Sequence, residues 1–311
     1  MTRYALKRFL LIVPIIFGVV VIVFTIINII PGDPAQRILG VGATQEQLDA
    51  LNHELGYDQP FLTRLATYLK DIVTRFDFGE SYQNGQQVFD IIAVNFKYTL
   101  LLAVLQTVFY AVIGVTLGVL SAVRQYSVAD NIIRVVSVAL SAFPGFWVYM
   151  LAILLFSLKL GWLPSSGVES WKSYLMPVGC AAVLSASGLQ RMTRTTMLES
   201  IRQDFVRTAR AKGCARGTVI WKHAFLNAML PVLNQVGTSF GYLLGGTVIA
   251  ETVFAMPGLG SVIVSAINAK DVPLVMASTI FLSTIFCIII VFLDLVSAAL
   301  DPRVKAKFVK S

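Results

Sequence analysis

The 311-residue sequence is poor in charge, since only 14% of its residues are Asp, Glu, Lys or Arg, against roughly 25% in ordinary soluble domains. A soluble protein of this length would need far more polar side chains to cover its surface. Hydrophobic residues make up 56% of the chain, and several uncharged stretches reach about 20 residues, the length needed to cross a bilayer. The shortage of charge excludes an ordinary soluble protein and predicts an all-α, polytopic membrane protein.

Histidine and cysteine are also scarce, with two and three copies. Cys180, Cys214 and Cys287 show neither a disulfide framework nor the spacing of metal ligands. His53 begins no His-Glu-x-x-His zinc motif, and His223 stands at a predicted membrane boundary. The sequence also has no Gly-x-Ser-x-Gly nucleophile turn and no phosphate-binding loop. We therefore expect no catalytic residue, no metal ligand and no cofactor-binding residue in this chain.

Long uncharged runs are the main feature that is present. Six of them predict six membrane helices, which places both termini on the same side. Lys and Arg concentrate near the ends of the runs on that side, so the positive-inside rule makes the termini and the loop 191–223 cytoplasmic. This asymmetry also explains the net charge of +8 without nucleic-acid binding. The runs are 9–30, 98–123, 135–158, 173–190, 224–250 and 272–293.

These runs divide the chain into four predicted parts. Residues 1–30 form a first membrane helix, because the apolar run is too long for a cleaved signal peptide and no small-residue cleavage site follows. Residues 31–97 form an external helical segment. Residues 98–300 form a core of five further helices, and residues 301–311 form a cytoplasmic tail.

The external segment carries two helix patterns. Thr44 and Gln47 have the spacing of a capping box, and Gly56 is placed to end the helix that they begin. Pro60 marks the start of a second helix. The pattern predicts a small amphipathic cap, and it leaves open whether the cap only packs on its own bundle or holds a ligand. The predicted apolar stripes are Leu48, Leu51 and Leu55 in the first helix, and Leu62, Leu65, Leu69, Ile72 and Val73 in the second.

Polar and small residues distinguish the fourth and fifth runs from the others. Polar groups at membrane depth face protein or water and not lipid, so these runs are expected to form the interior. The spacing of Gly241 and Gly245 predicts close helix packing. The polar stripe either lines a path or bonds neighbouring helices. The candidate path residues are Asn234, Gln235, Thr238, Ser239 and Glu251.

The stretch DFVRTARAKG at 204–213 is basic and polar between apolar runs. Asp204 is a suitable N-cap residue and Gly213 a suitable residue just after a helix. The two-turn helix between them would place Phe205 and Ala209 on one side, with Lys212 near the negative end of the helix dipole. A topological anchor needs charge but no such helix, so the pattern favours a docking surface. Its predicted docking residues are Phe205, Arg207, Thr208, Ala209, Arg210, Ala211, Lys212 and Gly213.

This stretch, followed by HAFLNAMLP, resembles the cytoplasmic loop of permease subunits in bacterial peptide and nickel ABC importers. The stretches IIPGDPA, LGYDQP, DFGESY, GWLPSSG and GGTVIAETVFAMPGLG are similar to the same family and follow its order along the whole chain. The resemblance implies a type I importer transmembrane domain with six helices in the bacterial inner membrane. It also implies three kinds of partner: a second homologous permease, two ABC ATPases and an external substrate-binding protein.

The same resemblance makes 204–213 the coupling helix, seated in a groove on an ATPase. The family pattern Glu-Ala-Ala-x-x-x-Gly falls on Arg207, Thr208, Ala209 and Gly213, so its first two positions depart from the general importer form. The implied function is a path for di- or oligopeptides by alternating access, while partner ATPases bind ATP and Mg²⁺ and hydrolyse the ATP.

The alternatives are nickel, a metal chelate or glutathione as the substrate of the same architecture. A more distant one is an ion-coupled secondary transporter that uses Glu251 or Asp294 as an intramembrane carboxylate.

Overall fold

The computed structural model describes the backbone of residues 2–29, 34–40, 42–75 and 77–300, and their side chains except at 2–8, 34, 37, 294 and 296–300. The predicted tail 301–311, the residues 30–33 at the start of the external segment and the Asp294 side chain lie outside this description. The described part is built of helices, with one isolated bridge between Glu80 and Gln87 and no strand. The expected all-α fold class is confirmed.

Thirteen α-helices occur among the described residues, together with short 3₁₀ and π-helical turns. Trp171–Tyr174 is a 3₁₀ turn, and Ile153–Lys159 and Val219–Phe225 are π-helical turns that continue α7 and α10. The helices are α1 Thr2–Ile29, α2 Pro34–Leu39, α3 Gln45–Glu54, α4 Phe61–Arg75, α5 Val88–Val123, α6 Val128–Ser141, α7 Gly145–Ala152, α8 Leu175–Ile201, α9 Asp204–Ala211, α10 Arg216–Thr218, α11 Leu226–Val253, α12 Leu259–Ala269 and α13 Val272–Leu300.

Three of the described helices are long enough and apolar enough to cross a membrane, over Phe9–Ile29, Val88–Val123 and Val272–Leu293. A bent pair, α6 with α7 and its π-helical continuation, makes a fourth if the pair is one span. Helices α8 and α11 have 27 and 28 residues, so they reach about 40 Å at 1.5 Å per residue, but they carry more polar side chains. The number of six spans stays a prediction.

The third apolar run differs from the uninterrupted helix that was expected over 135–158. Helix α6 ends at Ser141, α7 begins at Gly145, and the two are bent by 100°. Pro144 stands at the N-cap of α7 with extended backbone. Proline has no N–H to donate and disfavours helical backbone in the residue before it, which explains a helix boundary at this point.

The chain divides into two compact units. The first consists of Met1–Tyr98 and Pro257–Ile288, and the second of Thr99–Met256 and Ile289–Ser311. The first unit has two apolar clusters. One joins Val20 and Phe24 of α1 to Leu65 of α4 and Met276 of α13, and the other contains the N-terminal end of α5.

Helices α3 and α4 form where the sequence predicted them. Thr44 accepts a hydrogen bond from the Gln47 N–H while the Gln47 side chain accepts one from the Thr44 N–H, so the capping box is present. Gly56 has φ +71°, a backbone conformation that favours glycine at the end of a helix. The apolar stripe of α4 is narrower than predicted, because Leu62 and Val73 are exposed.

In the second unit, close approach depends on other glycines than those predicted. A Cβ at Gly118 would lie 2.5 Å from the Thr193 Cβ, and one at Gly114 would lie 2.8 Å from the Leu189 Cβ. Helix α5 therefore packs directly on α8 through these positions. At Gly245, which was expected to pack closely, an added Cβ would meet no atom of another helix within 4 Å, while Gly241 is buried.

Candidate functional site

Helix α9, the predicted coupling helix, spans Asp204–Ala211. Its N-cap residue is Gln203, with extended backbone and no side-chain hydrogen bond to the helix, so the expectation that Asp204 is the N-cap is wrong by one position. Asp204 instead lies in the first turn, where its negative charge interacts favourably with the positive end of the helix dipole. Its carboxylate is 3.6 Å from the Arg207 guanidinium, and both groups are exposed.

The end of α9 agrees with the prediction. Gly213 has φ +78°, and its N–H donates to the Arg210 carbonyl at 3.0 Å. The Cys214 N–H donates to the Ala209 carbonyl at 3.2 Å. These two bonds make a Schellman motif, which satisfies the last carbonyls and stops the helix after two turns.

One face of α9 packs into its own chain. Val206 is fully buried and Ala209 nearly so, in an apolar cluster with Met197 of α8 and Val219. The two residues of the predicted side differ in burial, because Phe205, four positions before Ala209 on the same side of the helix, is 42% exposed while Ala209 is buried. The Ala209 methyl group is therefore occupied within this chain and is not available for close approach by a partner.

The other face of α9 is open in the isolated chain. Phe205 is exposed beside three cationic side chains, Arg207, Arg210 and Lys212, and the Ala211 methyl group and Gly213 are exposed between them. An exposed aromatic ring next to guanidinium groups has the composition of a protein interface. Helix α9 is thus packed against its own chain on one face and exposed on the other.

A basic pocket of about 750 Å³ adjoins this face. Four guanidinium groups line it, from Arg202, Arg207, Arg210 and Arg216, and the only other polar side chain in its lining besides Cys214 is Gln125. Arg207 interacts with one exposed carboxylate, that of Asp204. The pocket and the open face of α9 therefore form one continuous cationic surface.

The second unit also contains an ion pair that sequence reasoning missed. Asp130, at the start of α6, is fully buried and accepts two hydrogen bonds of 2.9 Å from the guanidinium of Arg194 on α8. Its carboxylate also accepts from Ser121 and from the Tyr126 N–H. Ser127, an N-cap residue three positions before Asp130, was a signal for a helix start here, but nothing in the sequence pairs Asp130 with Arg194.

The candidate path residues on α11 lie on two different faces. Asn234 and Thr238 are exposed in the isolated chain, and the Thr238 hydroxyl donates to the Asn234 carbonyl at 2.9 Å. Gln235 and Ser239 turn toward α5, where the Ser239 hydroxyl is 2.9 Å from the Tyr110 hydroxyl. Positions four apart share a helix face, so the single polar stripe separates into a helix-bonding pair and an exposed pair.

Glu251, the fifth candidate, is 1% exposed. Its carboxylate accepts a hydrogen bond of 2.7 Å from the hydroxyl of Thr99, which is also buried. Position 251 is 13 residues beyond Thr238, so the two are about 20 Å apart along the helix. The structure therefore places Glu251 in helix packing and away from the exposed pair.

Two family models match this chain. The model described as binding-protein-dependent transport system inner membrane component matches residues 114–306. The model for the N-terminal part of such membrane components matches residues 1–103. Together they cover the membrane helices, the external segment and α9. The chain belongs to the family of binding-protein-dependent transport system inner membrane components.

Similar proteins place this permease in the peptide-type branch of ABC permeases. The dipeptide transport system permease protein of Alkalihalophilus pseudofirmus is 34% identical, over 98% of this chain and 100% of the relative. The glutathione transport system permease protein of Escherichia coli strain K12 is 36% identical, over 99% of this chain and 100% of the relative.

A solved structure confirms the fold class of the permease. A chain of the methionine ABC transporter MetNI superimposes with a TM-score of 0.57 at 20% sequence identity, covering 68% of this permease and 96% of that chain. A second crystal form of the same transporter gives a TM-score of 0.52 at 18% identity. At this identity the likeness speaks to the fold alone.

Proposed function

We propose that this permease is the membrane-spanning subunit of an ATP-driven importer, and that α9 is the helix by which a partner ATPase moves it. The observation that carries the proposal is the two-sided environment of α9. Val206 and Ala209 are buried in the permease, while Phe205 and the cations beside it are exposed. A helix fixed on one face transmits a displacement applied to the other.

Movement of α9 would reach the membrane helices through direct contacts. Val206 and Ala209 touch Met197 on α8 and Ala224, which precedes α11, and the Ser200 hydroxyl donates to the Ala224 carbonyl at 2.8 Å. ATP binding that closes the partner ATPases would therefore shift α8 and α11 together. Alternation between states open to each side is then a population shift driven by differential binding of the ATPases.

The translocation path lies between this permease and a second, homologous permease. Asn234 and Thr238 support this assignment, because their polar side chains are exposed on a membrane helix, and such groups are tolerated where they face water or another protein. Gln235, Ser239 and Glu251 act behind them, by bonding α11 to α5.

The proposed cargo is a di- or oligopeptide, supported by the relatives that are named as dipeptide and glutathione permeases. Glutathione, nickel or a metal chelate are the alternatives within the same architecture. An ion-coupled secondary transporter is less well supported, because Glu251 is bonded to Thr99 and does not face an open cavity.

The proposed assembly contains the second permease, two ABC ATPases, an external substrate-binding protein and membrane lipid, without nucleic acid. ATP and Mg²⁺ belong to the ATPases, and this chain contributes no catalytic, metal-binding or cofactor-binding residue. The excess of Lys and Arg near 191–223 and both termini supports a cytoplasmic location for these parts in a bacterial inner membrane.

The decisive experiment is Ala211→Asp, which places a carboxylate on the exposed face of α9 without touching its buried face. We expect uptake to fall to background and the ATPases to be lost on affinity purification in mild detergent. The matched control is Ala50→Asp, the same change at an exposed position of the external helix α3. Normal uptake and ATPase recovery by Ala211→Asp would refute the docking role of α9.

A further inference from the structure

A second pocket lies in the first unit, where α4 meets the C-terminal half of α1 and the start of α13. Its volume is about 340 Å³, at the lower end of the range for small-molecule sites. Aromatic rings and charged groups both line it. The charged and phenolic side chains of the lining are Glu54, Tyr57, Arg64, Tyr68, Asp71, Asp77 and Tyr82.

Arg64 supplies the only cation of this lining. Its guanidinium carbon lies 4.0 Å from the centre of the Tyr57 ring and 5.7 Å from that of Phe24, so the group makes cation–π contacts with both rings. No carboxylate among the described residues lies within 4.0 Å of it. A stacked guanidinium keeps the N–H groups along its edge, in the geometry that binds a carboxylate with two hydrogen bonds.

Asp71 follows Arg64 by seven residues on the same helix, two turns and about 10.5 Å further along the same face. It is half-buried, and its carboxylate makes no hydrogen bond or ion pair in the described part of the chain. Two more carboxylates, those of Glu54 and Asp77, line the pocket, and Asp77 accepts a hydrogen bond of 2.8 Å from the Gly79 N–H. The pocket therefore carries carboxylates as well as the Arg64 cation.

Tyr68 lies on α4 between Arg64 and Asp71. Its hydroxyl oxygen is buried and has no hydrogen-bond partner among the described residues. Burial raises the pKa of Tyr68 well above its usual value, so the hydroxyl stays protonated and able to donate. A buried hydroxyl without a partner is uncommon, and a ligand with an acceptor at this point would satisfy it.

A metal ion does not fit this arrangement. No three His, Cys, Asp or Glu side chains of the described residues are placed to hold one, and Arg64 would oppose a cation beside it. The separated charges instead match a molecule with a carboxylate at one end and an ammonium group at the other.

We propose that this pocket binds a short peptide by both of its termini, with the carboxylate at Arg64, the ammonium group at Asp71 and a backbone carbonyl at the Tyr68 hydroxyl. A dipeptide spans about 7 Å when extended. A charge-assisted hydrogen bond of about 2.8 Å at each end brings the reach to about 13 Å, against about 10.5 Å between the two backbone positions on the helix. The site lies outside the proposed path, and its argument does not depend on α9.

The test uses the full-length subunit in lipid nanodiscs and calorimetric titration with Ala-Ala. We expect binding to the unmodified protein, and an affinity about tenfold to a hundredfold lower in Arg64→Gln and in Asp71→Asn, since each loses one charge-assisted contact. N-acetyl-Ala-Ala and Ala-Ala amide should bind as weakly to the unmodified protein. The matched controls are Arg75→Gln on the last turn of α4 and Asp49→Asn on α3, both exposed and outside the lining.

Absence of Ala-Ala binding to the unmodified protein at millimolar concentration would overturn the proposal. An affinity of Arg64→Gln and Asp71→Asn equal to that of the unmodified protein would also overturn it, because the peptide would then bind elsewhere. Tight binding of either blocked peptide would overturn it as well. Tyr68→Phe, which removes only the hydroxyl, serves where the charge variants fail to fold and should weaken binding several-fold. Ala211→Asp should bind Ala-Ala normally even though it loses uptake, so the two proposals fail independently.

Discussion

Asp130 and Asp71 are both carboxylates on amphipathic helices, and their surroundings differ. Asp130 is fully buried in the second unit and receives hydrogen bonds from Arg194, Ser121 and the Tyr126 N–H. Asp71, in the first unit, is half-buried beside a pocket and receives none from the described residues.

The cations of the two regions differ in the same way. Arg194 is bidentate to a carboxylate, whereas Arg64 contacts the Tyr57 and Phe24 side chains, has no carboxylate partner among the described residues and lines an open volume. Because an unpaired buried charge costs free energy, a folded protein keeps one where a ligand or solvent completes it. The comparison teaches that a satisfied network indicates structure, and an incomplete one beside a pocket indicates binding.

The largest effect on stability is expected from Asp130→Ala. It leaves the Arg194 guanidinium, whose side chain is 18% exposed, without its partner, so we expect the free energy of unfolding to fall by about 3 kcal/mol. Unfolding in mixed micelles of rising SDS content measures this change. Asp90→Ala, at an exposed acid in the first turn of α5, is the control and should cost under about 0.5 kcal/mol. A loss equal to that of the control would mean that the Asp130 network is not structural.

Gly118→Ala tests the packing that holds this network in place. The added methyl carbon would lie 2.5 Å from the Thr193 Cβ and 2.8 Å from the Gln190 carbonyl oxygen, and overpacking of this kind costs about 1–3 kcal/mol. The same SDS titration measures it. Gly179→Ala on α8, where no atom lies within 4 Å, should instead stabilise the helix by up to about 1 kcal/mol. Equal effects of the two changes would contradict the close approach of α5 and α8.

The smallest expected effect on stability is that of Arg64→Gln. The variant loses only the cation–π contacts with Tyr57 and Phe24, worth about 0.5–1 kcal/mol, and it relieves no buried ion pair. Thermal unfolding of the purified subunit should therefore change little while peptide binding weakens about tenfold to a hundredfold. A loss of stability as large as that of Asp130→Ala would assign Arg64 a structural role and remove the contrast between the two regions.

Helix ends were predicted correctly where the hydrogen-bond partners are close together in the sequence. The Thr44–Gln47 capping box, the left-handed Gly56 and the Schellman end at Gly213 were predicted at the right residues. The start of α9 was misplaced by one residue, because Gln203 at its N-cap makes no side-chain bond that a pattern could reveal. The long apolar helix at 9–29 was predicted from length and hydropathy alone.

Faces were predicted less well than boundaries. Leu62 and Val73 were assigned to the buried stripe of α4, but both are exposed. Periodicity states which residues share a face, while the neighbouring helices decide which face is covered. For the same reason the polar stripe of α11 could not be divided in advance into an exposed pair and a pair bonded to α5.

Composition and spacing by themselves determined the membrane class and the positions of most local caps, because these depend on the chemistry of adjacent residues. The family was indicated by the resemblance of the motifs. Only the tertiary structure decided that Asp130 meets Arg194 across 64 positions and that Thr99 meets Glu251 across 152. It also decided that Arg64 and Asp71 meet no opposite charge among the residues that the structure describes. Long-range pairing depends on how helices are placed in space, and a single sequence carries no local signal for the partner that a buried charge will find.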